Sequence, residues 1–361
     1  MMPPRDYLLA PARSVVGQEA VSCLPDVVAE RGRRCLIVAD GGGVDAAAAP
    51  LATLGRRFDV TTRPFEGECT EAAIARICVD ADRHDVLLGV GGGKALDAAK
   101  AAAALARIPC ITLPTSAATC AAYTPLSILH REDGAYVESR RLRVPVFAMI
   151  VDPDLIVSAP PRLLAAGIVD GLARALDTLL AAQIDVPTTA AAVSVAVSRA
   201  ILEDGLLRLG TQALADNARG KPTDTFMRVV EACIVGAGLA GETGARFFGR
   251  SFSHSVGYAL SHVVDPNVVL HGEAVGLGVL VHCALDSRSP IPFDRMVDLF
   301  AEWDVPASFA ALGVSAPDAS LVPLADRALA YLDVERAVPF PIEVGDLLRE
   351  MRRIEATANS N

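Results

Sequence analysis

Along the first 150 residues short apolar runs alternate with segments of helical spacing, and beyond residue 162 the helical spacing takes over almost entirely. Residues 35–39, 59–63, 86–90, 109–113 and 146–151 have the length and apolar content of strands. Between them, 44–54, 70–81 and the alanine-rich segment from Lys94 onward repeat apolar positions at helical intervals, with Thr70 placed as an N-cap. A polar turn, Arg131-Glu-Asp-Gly134, follows residues 124–130 and reads as a hairpin. Asp152-Pro153 and Pro160-Pro161 then punctuate the chain. Helical patterns fill 162–184, 188–206, 223–240, 244–262, 271–286 and 292–303, and an amphipathic helix over 346–358 opens at Asp346. This order predicts an α/β N-terminal domain built on a parallel sheet and an all-α C-terminal domain. The division is placed near residue 158, giving 1–158 and 159–361.

The junction at 85–100 concentrates the chemistry of the first half. An apolar run ends in Gly91-Gly-Gly93 and a helix begins at Lys94. Glycines let backbone approach a ligand, and free amides at a helix N-terminus favour an anion, to which Lys94 adds a cation. Gly91, Gly92, Gly93, Lys94 and Asp97 therefore form a candidate phosphate cradle. Lysine stands where a G-x-G-x-x-G pattern would place its last glycine, so this is neither that motif nor a P-loop. Asp40 closes an earlier strand at the same sheet edge. A carboxylate there can accept from a ribose diol and repels a 2′-phosphate, which favours NAD over NADP. An aspartate that merely opens a glycine turn is the other reading of that residue.

Composition narrows the classes. The 361 residues suit two domains, and although 52% are hydrophobic, no run approaches the ~18 apolar residues of a membrane span. Met1–Asp6 lacks the basic and apolar regions of a signal peptide. A net charge of −10 argues against nucleic acid as a partner. Lysine occurs only at 94, 100 and 221, two of them in the glycine-turn segment. Eight scattered cysteines without a C-x-x-C pair suggest no zinc ribbon or disulfide framework, and a reducing cytoplasm is the expected setting.

The helical half holds polar residues that packing does not explain. Asp170 sits inside an otherwise apolar helix, and His254 and His271 fall on successive helical segments separated by Asp265-Pro-Asn267. Each alone is ordinarily a satisfied polar group. Together, one carboxylate and two imidazoles would leave a divalent metal open positions for substrate and water. His262 and His282 are two to three helical turns beyond these histidines and read as structural.

The strings Gly91-Gly-Gly-Lys-Ala-Leu-Asp97, Pro114-Thr-Ser-Ala-Ala-Thr-Cys-Ala-Ala-Tyr-Thr-Pro-Leu-Ser127, Asp170-Gly-Leu-Ala173 and His254…Leu270-His-Gly-Glu273 resemble, in order and spacing, the glycerol dehydrogenase-like branch of the iron-containing alcohol dehydrogenases. The resemblance runs from about residue 10 to residue 350. Within the branch the segment around Cys120 looks most like the hydroxycarboxylate (2-oxoacid) dehydrogenases. The family's fold, shared with dehydroquinate synthase, is an α/β dinucleotide domain and a helical domain with a metal in the cleft between them. The resemblance implies that Gly93, Lys94 and Asp97 face the cofactor's phosphates and nicotinamide, that Thr115, Thr124 and Leu126 line the rest of the dinucleotide site, and that Asp40 faces the ribose. It implies Asp170, His254 and His271 as metal ligands. The larger iron enzymes carry a fourth-ligand histidine one turn after the aspartate; Arg174 stands there, which favours a three-ligand Zn2+ subtype over Fe2+.

Three departures bear on substrate. Cys120 replaces the aspartate with which glycerol dehydrogenases hold the polyol, so glycerol is disfavoured. Gly257 replaces a histidine frequent in relatives, and Asp177 a glutamate. The expected reaction is metal-dependent hydride transfer between NAD(H), or NADP(H), and a small alcohol or carbonyl, a 2-hydroxyacid/2-oxoacid pair above all, by a cytoplasmic homo-oligomer (dimer or octamer). A dehydrogenase for a larger intermediate of a specialised biosynthetic pathway, a dehydroquinate synthase-like lyase or cyclase, and a non-catalytic NAD-binding protein are the rival readings.

Overall fold

A computed structural model describes residues 11–244, 247–248, 251–314 and 318–358. The stretch read for a signal peptide, and residues 245–246 and 249–250 of the expected helix over 244–262, lie outside the described residues. Strands run β1 Arg13–Val16, β2 Arg34–Ala39, β3 Asp59–Pro64, β4 Val86–Gly91, β5 Cys110–Pro114, β6 Leu126–His130, β7 Tyr136–Arg141 and β8 Ala148–Val151. Six of them form a wholly parallel sheet in the order β1-β8-β5-β4-β2-β3, while β6 and β7 make the expected antiparallel hairpin.

The apolar runs are continuous because both faces of the sheet are covered. Leu36, Val38 and Leu87 pack beneath the Glu71–Ala81 and Gly93–Ala106 helices, while Cys35, Ile37, Val86, Leu88 and Val90 meet Leu24, Val27 and Val28 on the other side. Register brings the carboxyl ends of the central strands level, with Ala39 opposite Val90 and Gly91 opposite Pro114. Asp40, Gly92 and Thr115 thus share one rim.

Every described element after β8 is helical. The Pro161–Ala181 helix is its axis, and each residue from Leu164 to Ala181 except Arg174 is buried. Two expected helices run on further than their patterns suggested. The Thr189–Arg199 helix passes through a π-helical segment, Ala200–Leu206, into Leu207–Ala218, and Asp224–Glu231 passes through Ala232–Gly236 into Ala237–Gly244. The Phe252–Leu260 and His271–Leu285 helices, the latter buried nearly all round, pack with the axial helix into one large core. No described helix is long and apolar enough to cross a membrane.

Candidate functional site

Asp170 projects from the middle of the axial helix, His254 from the first turn of Phe252–Leu260, and His271 opens His271–Leu285. Close packing brings them together. A Cβ on Gly272 would lie 2.0 Å from the Ala166 carbonyl oxygen, so only glycine admits this approach of the two helices. Arg162 fixes the same junction, pairing with Glu273 and donating to Val268 O at 2.6 Å, while Glu273 caps the helix by accepting from Leu270 N at 2.9 Å.

One ligand atom from each of Asp170, His254 and His271 lies within 4.8 Å of the other two. Asp170 Oδ1 is 3.2 Å from His254 Nε2 and 3.5 Å from His271 Nε2, yet it is buried without a hydrogen-bond partner. Burial alone would raise this carboxyl's pKa; the two imidazoles outweigh burial and hold it well below the usual carboxylate range. His254 turns its other nitrogen, Nδ1, to Asp177 Oδ2 at 3.3 Å. Asp177 also accepts from Ser253 N at 3.0 Å and Ser253 Oγ at 2.7 Å. Behind it, His282 Nδ1 lies 3.4 Å from Asp177 Oδ1 and His282 Nε2 lies 3.8 Å from Asp286 Oδ2. A carboxylate on the far nitrogen fixes a ligating histidine's tautomer and orientation. The orphaned oxygen, the two imidazoles and that support fit a divalent cation. His262, by contrast, is bonded to Tyr331 Oη at 2.8 Å and takes no part in the cluster.

On the sheet rim, Gly92 caps the Gly93–Ala106 helix, whose first-turn amides have no intrahelical acceptors. Asp40 is tied into this turn, accepting from Gly43 N at 2.6 Å and Gly92 N at 2.7 Å. Gly91 lies behind the turn at φ +131°, where a Cβ would come 2.1 Å from Asp40 Oδ2. It shapes the cradle without lining it. Lys94 is ion-paired to buried Glu68 and donates to Pro266 O at 3.3 Å, so its charge is already matched. Asp97 faces inward to Lys100 Nζ at 2.8 Å and accepts from Ile128 N at 2.9 Å.

A single cavity of about 880 Å³ joins the two halves of the site. Asp40, Gly92, Gly93, Lys94, Asp97, Thr115, Cys120, Thr124, Leu126, Asp170, His254 and His271 all line it. The Cys120 thiol stays neutral there, pushed up to about 12 by burial. Sequence reading missed three other wall residues. Tyr258 places its ring 6.2 Å from both His254 and His271 and is pushed up to about 12 by burial. Glu242, buried and raised by burial, pairs with Arg141 at 2.7 Å. His130, half-buried on β6, lies 3.9 Å from Glu68. Glu242 and His130 belong to no recognisable spacing, since Arg141 and Glu68 lie far away in the chain, whereas Tyr258 stands one helical turn after His254, a signal the sequence did carry.

The profile of the family described as iron-containing alcohol dehydrogenase matches residues 11–153. Hydroxycarboxylate dehydrogenase A of Escherichia coli is 33% identical over 252 residues, 69% of either chain. Glycerol dehydrogenase of Pseudomonas putida is 30% identical over 332 residues, 90% of this chain and 88% of that one. Among solved structures, a probable glycerol dehydrogenase from Sinorhizobium meliloti superposes with a TM-score of 0.85 at 26% identity, covering 99% of this chain and 100% of the other. Glycerol dehydrogenase from Schizosaccharomyces pombe shares the fold at a TM-score of 0.86 and 24% identity, covering 99% of this chain and 92% of that one.

Proposed function

The chain belongs to the iron-containing alcohol dehydrogenase family and is an alcohol oxidoreductase, and on that footing we propose that it transfers hydride between NAD(H) and a 2-hydroxyacid/2-oxoacid pair. The observation that carries this reading is the convergence of Asp170, His254 and His271 in a cavity that the Gly92–Lys94 turn also lines. Asp170, His254 and His271 hold the metal, and Asp177 keeps His254 Nε2 aimed at it. A divalent cation there supplies Lewis acidity toward the substrate oxygen, and the nicotinamide supplies the hydride chemistry. The amides of Gly93 and Lys94 receive the dinucleotide's pyrophosphate. Asp40, whose oxygens each retain a lone pair beyond their bond to an amide, accepts from the ribose hydroxyls and disfavours NADP.

The 2-hydroxyacid substrate is supported by Cys120, a neutral thiol where a polyol would need an acceptor, and by the hydroxycarboxylate dehydrogenase relative. The three-ligand set favours Zn2+, where the family's description names iron. The domain division near residue 158, a homo-oligomer and a cytoplasmic setting complete the proposal.

The test is NADH oxidation by protein stripped of metal and reloaded with Zn2+ or Fe2+, over 2-oxobutyrate, phenylpyruvate, dihydroxyacetone and simple aldehydes, repeated with NADPH. Turnover of 2-oxoacids that depends on metal is expected. Dihydroxyacetone as best substrate would overturn the substrate assignment, and full activity of a metal-free His271→Ala enzyme would overturn the metal site.

A further inference from the structure

We propose that Arg174 is the receptor for the substrate's carboxylate, selecting a 2-oxoacid over a neutral carbonyl compound of the same size. The inference rests on the reading of Asp170, His254 and His271 as the place of the carbonyl oxygen. Arg174 is the one residue between Leu164 and Ala181 that is not buried, and the surface it exposes is on the cavity wall.

A guanidinium carries five N–H donors and one charge that cannot be discharged. Arg174 places Nη1 3.0 Å from Ser251 Oγ and Nη2 3.5 Å from His254 Nε2. No carboxylate lies within 4.0 Å of it among the described residues, in contrast to Arg141 at 2.7 Å from Glu242 and Arg162 at 2.5 Å from Glu273. The acids nearby face other groups: Asp170 Oδ1 points at the two histidines of the ligand cluster, Asp177 bonds Ser253 and His254, and Glu242 pairs with Arg141. A half-buried guanidinium with unused donors and no carboxylate in reach leaves its charge unmatched unless an anion completes it. Here the anion must arrive through the cavity.

Position decides which anion. Arg174 is one helical turn beyond Asp170, about 5–6 Å between Cβ atoms, and its guanidinium already reaches the Nε2 that faces the ligand cluster. A group held by Arg174 is therefore adjacent to the group held by Asp170, His254 and His271. A carboxylate bonded directly to the carbonyl carbon meets that spacing, and a carboxylate several carbons away does not. The planar fork also suits a carboxylate's two oxygens.

The experiment compares wild type, Arg174→Gln and Arg174→Lys in two ways. One is binding of oxamate against oxamide to NADH-loaded protein by calorimetry. The other is the ratio of kcat/KM for 2-oxobutyrate to that for its neutral isostere 2-oxobutyramide. In Arg174→Gln the ratio is expected to fall about a hundredfold, the scale of a lost charged hydrogen-bond pair, with oxamate affinity falling in parallel. Arg174→Lys, which keeps the charge and loses the fork, is expected to lose about tenfold. A residue that only supported the fold would lower both substrates together and leave the ratio where it was. An unchanged ratio in Arg174→Gln overturns the assignment while leaving the 2-oxoacid reading intact. If that variant does not bind NADH, an unchanged ratio in Arg174→Lys does the same. A wild-type enzyme that ignores 2-oxobutyrate and oxamate but reduces neutral carbonyls overturns the 2-oxoacid reading and this inference with it.

Discussion

Replacing Lys100 with methionine keeps the stem of the side chain and removes its charge. Lys100 is 1% exposed, and its ammonium is enclosed with it. The ammonium donates to Ala121 O at 2.6 Å, to Thr124 O at 2.9 Å and to Leu126 O, and sits 2.8 Å from Asp97 Oδ1. Three protons are thus shared among four acceptors, three of them main-chain carbonyls of the segment that presents Thr124 and Leu126 to the cavity. Breaking a buried ion pair from one side costs about 3–5 kcal/mol. Burial already pushes the Asp97 carboxyl above its usual range against the pull of Lys100, so Asp97 takes up a proton in the variant and the loss falls near the lower end. Carbonyls left without a donor add about 1 kcal/mol between them after relaxation. Lys100→Met should therefore lose about 4 kcal/mol, a large share of the roughly 5–15 kcal/mol that holds a typical protein folded. Urea unfolding followed by circular dichroism measures that loss, and NADH fluorescence reads the displaced segment as a Kd raised about tenfold or more. A variant within about 1 kcal/mol of wild type and unchanged in NADH affinity would refute the reasoning.

Three further outcomes are expected. Asp177→Asn should weaken metal affinity about 10–100-fold by releasing the tautomer of His254, as measured by titration against a competing chelator; an unchanged affinity would remove Asp177 from the site. The His130 imidazole is pushed down to about 4 by burial, with the nearby charges of His271 and Lys94 adding to it. Its unfolded value is about 6.5, so between these limits the unfolded chain binds the extra proton: the contribution is complete above pH ~6.5 and is lost as pH falls toward 4. His130→Gln should flatten the stability profile in that window alone, and parallel profiles would contradict it. Gly257→Ala should destabilise by about 1–3 kcal/mol, because the added Cβ meets Val275 Cγ2 at 2.7 Å and the Val275 backbone at 3.2 Å. Restoring the relatives' histidine there should likewise lower the melting temperature and yield no gain in rate. Unaltered calorimetric melting of Gly257→Ala would show that the two helices can part without cost.

The central strands were legible because a run buried on both faces announces itself by composition. β1 escaped notice as a half-exposed edge strand of four residues. Gly41-Gly-Gly43 reads as a turn, yet helix begins at Gly41, since Asp40 caps it by accepting from the Gly43 amide. The helix expected to stop at 206 continues through Gly205 and Gly210, where an added Cβ would meet Ala232 Cβ at 3.2 Å and Trp303 Cζ2 at 3.3 Å, so these glycines admit close neighbours and do not end the helix. The Asp318–Tyr331 helix was concealed by Pro323 inside it. At the site, Asp170, His254 and His271 stood out as polar residues in apolar helices, and the structure brings their ligand atoms within 4.8 Å. Lys94 was read as a cation offered to phosphate, but Glu68, which no local pattern connects to it, faces it in the fold. Glu242 and Arg141 were invisible for the same reason, being joined only across 101 positions.

The separation of the three ligand residues along the chain also dictates when the cation can enter. His254 and His271 come from neighbouring helices in one stretch of sequence, so their half of the cluster can assemble early. Asp170 joins them only by closing a loop of more than eighty positions, a slow step whose entropic cost precedes any reward from the contact. Metal added to a refolding chain should leave the early phases of the kinetics untouched and act on the last one. Its uptake then serves as a clock for completion of the helical half, and a chain trapped short of that point would be counted by the ions it fails to hold.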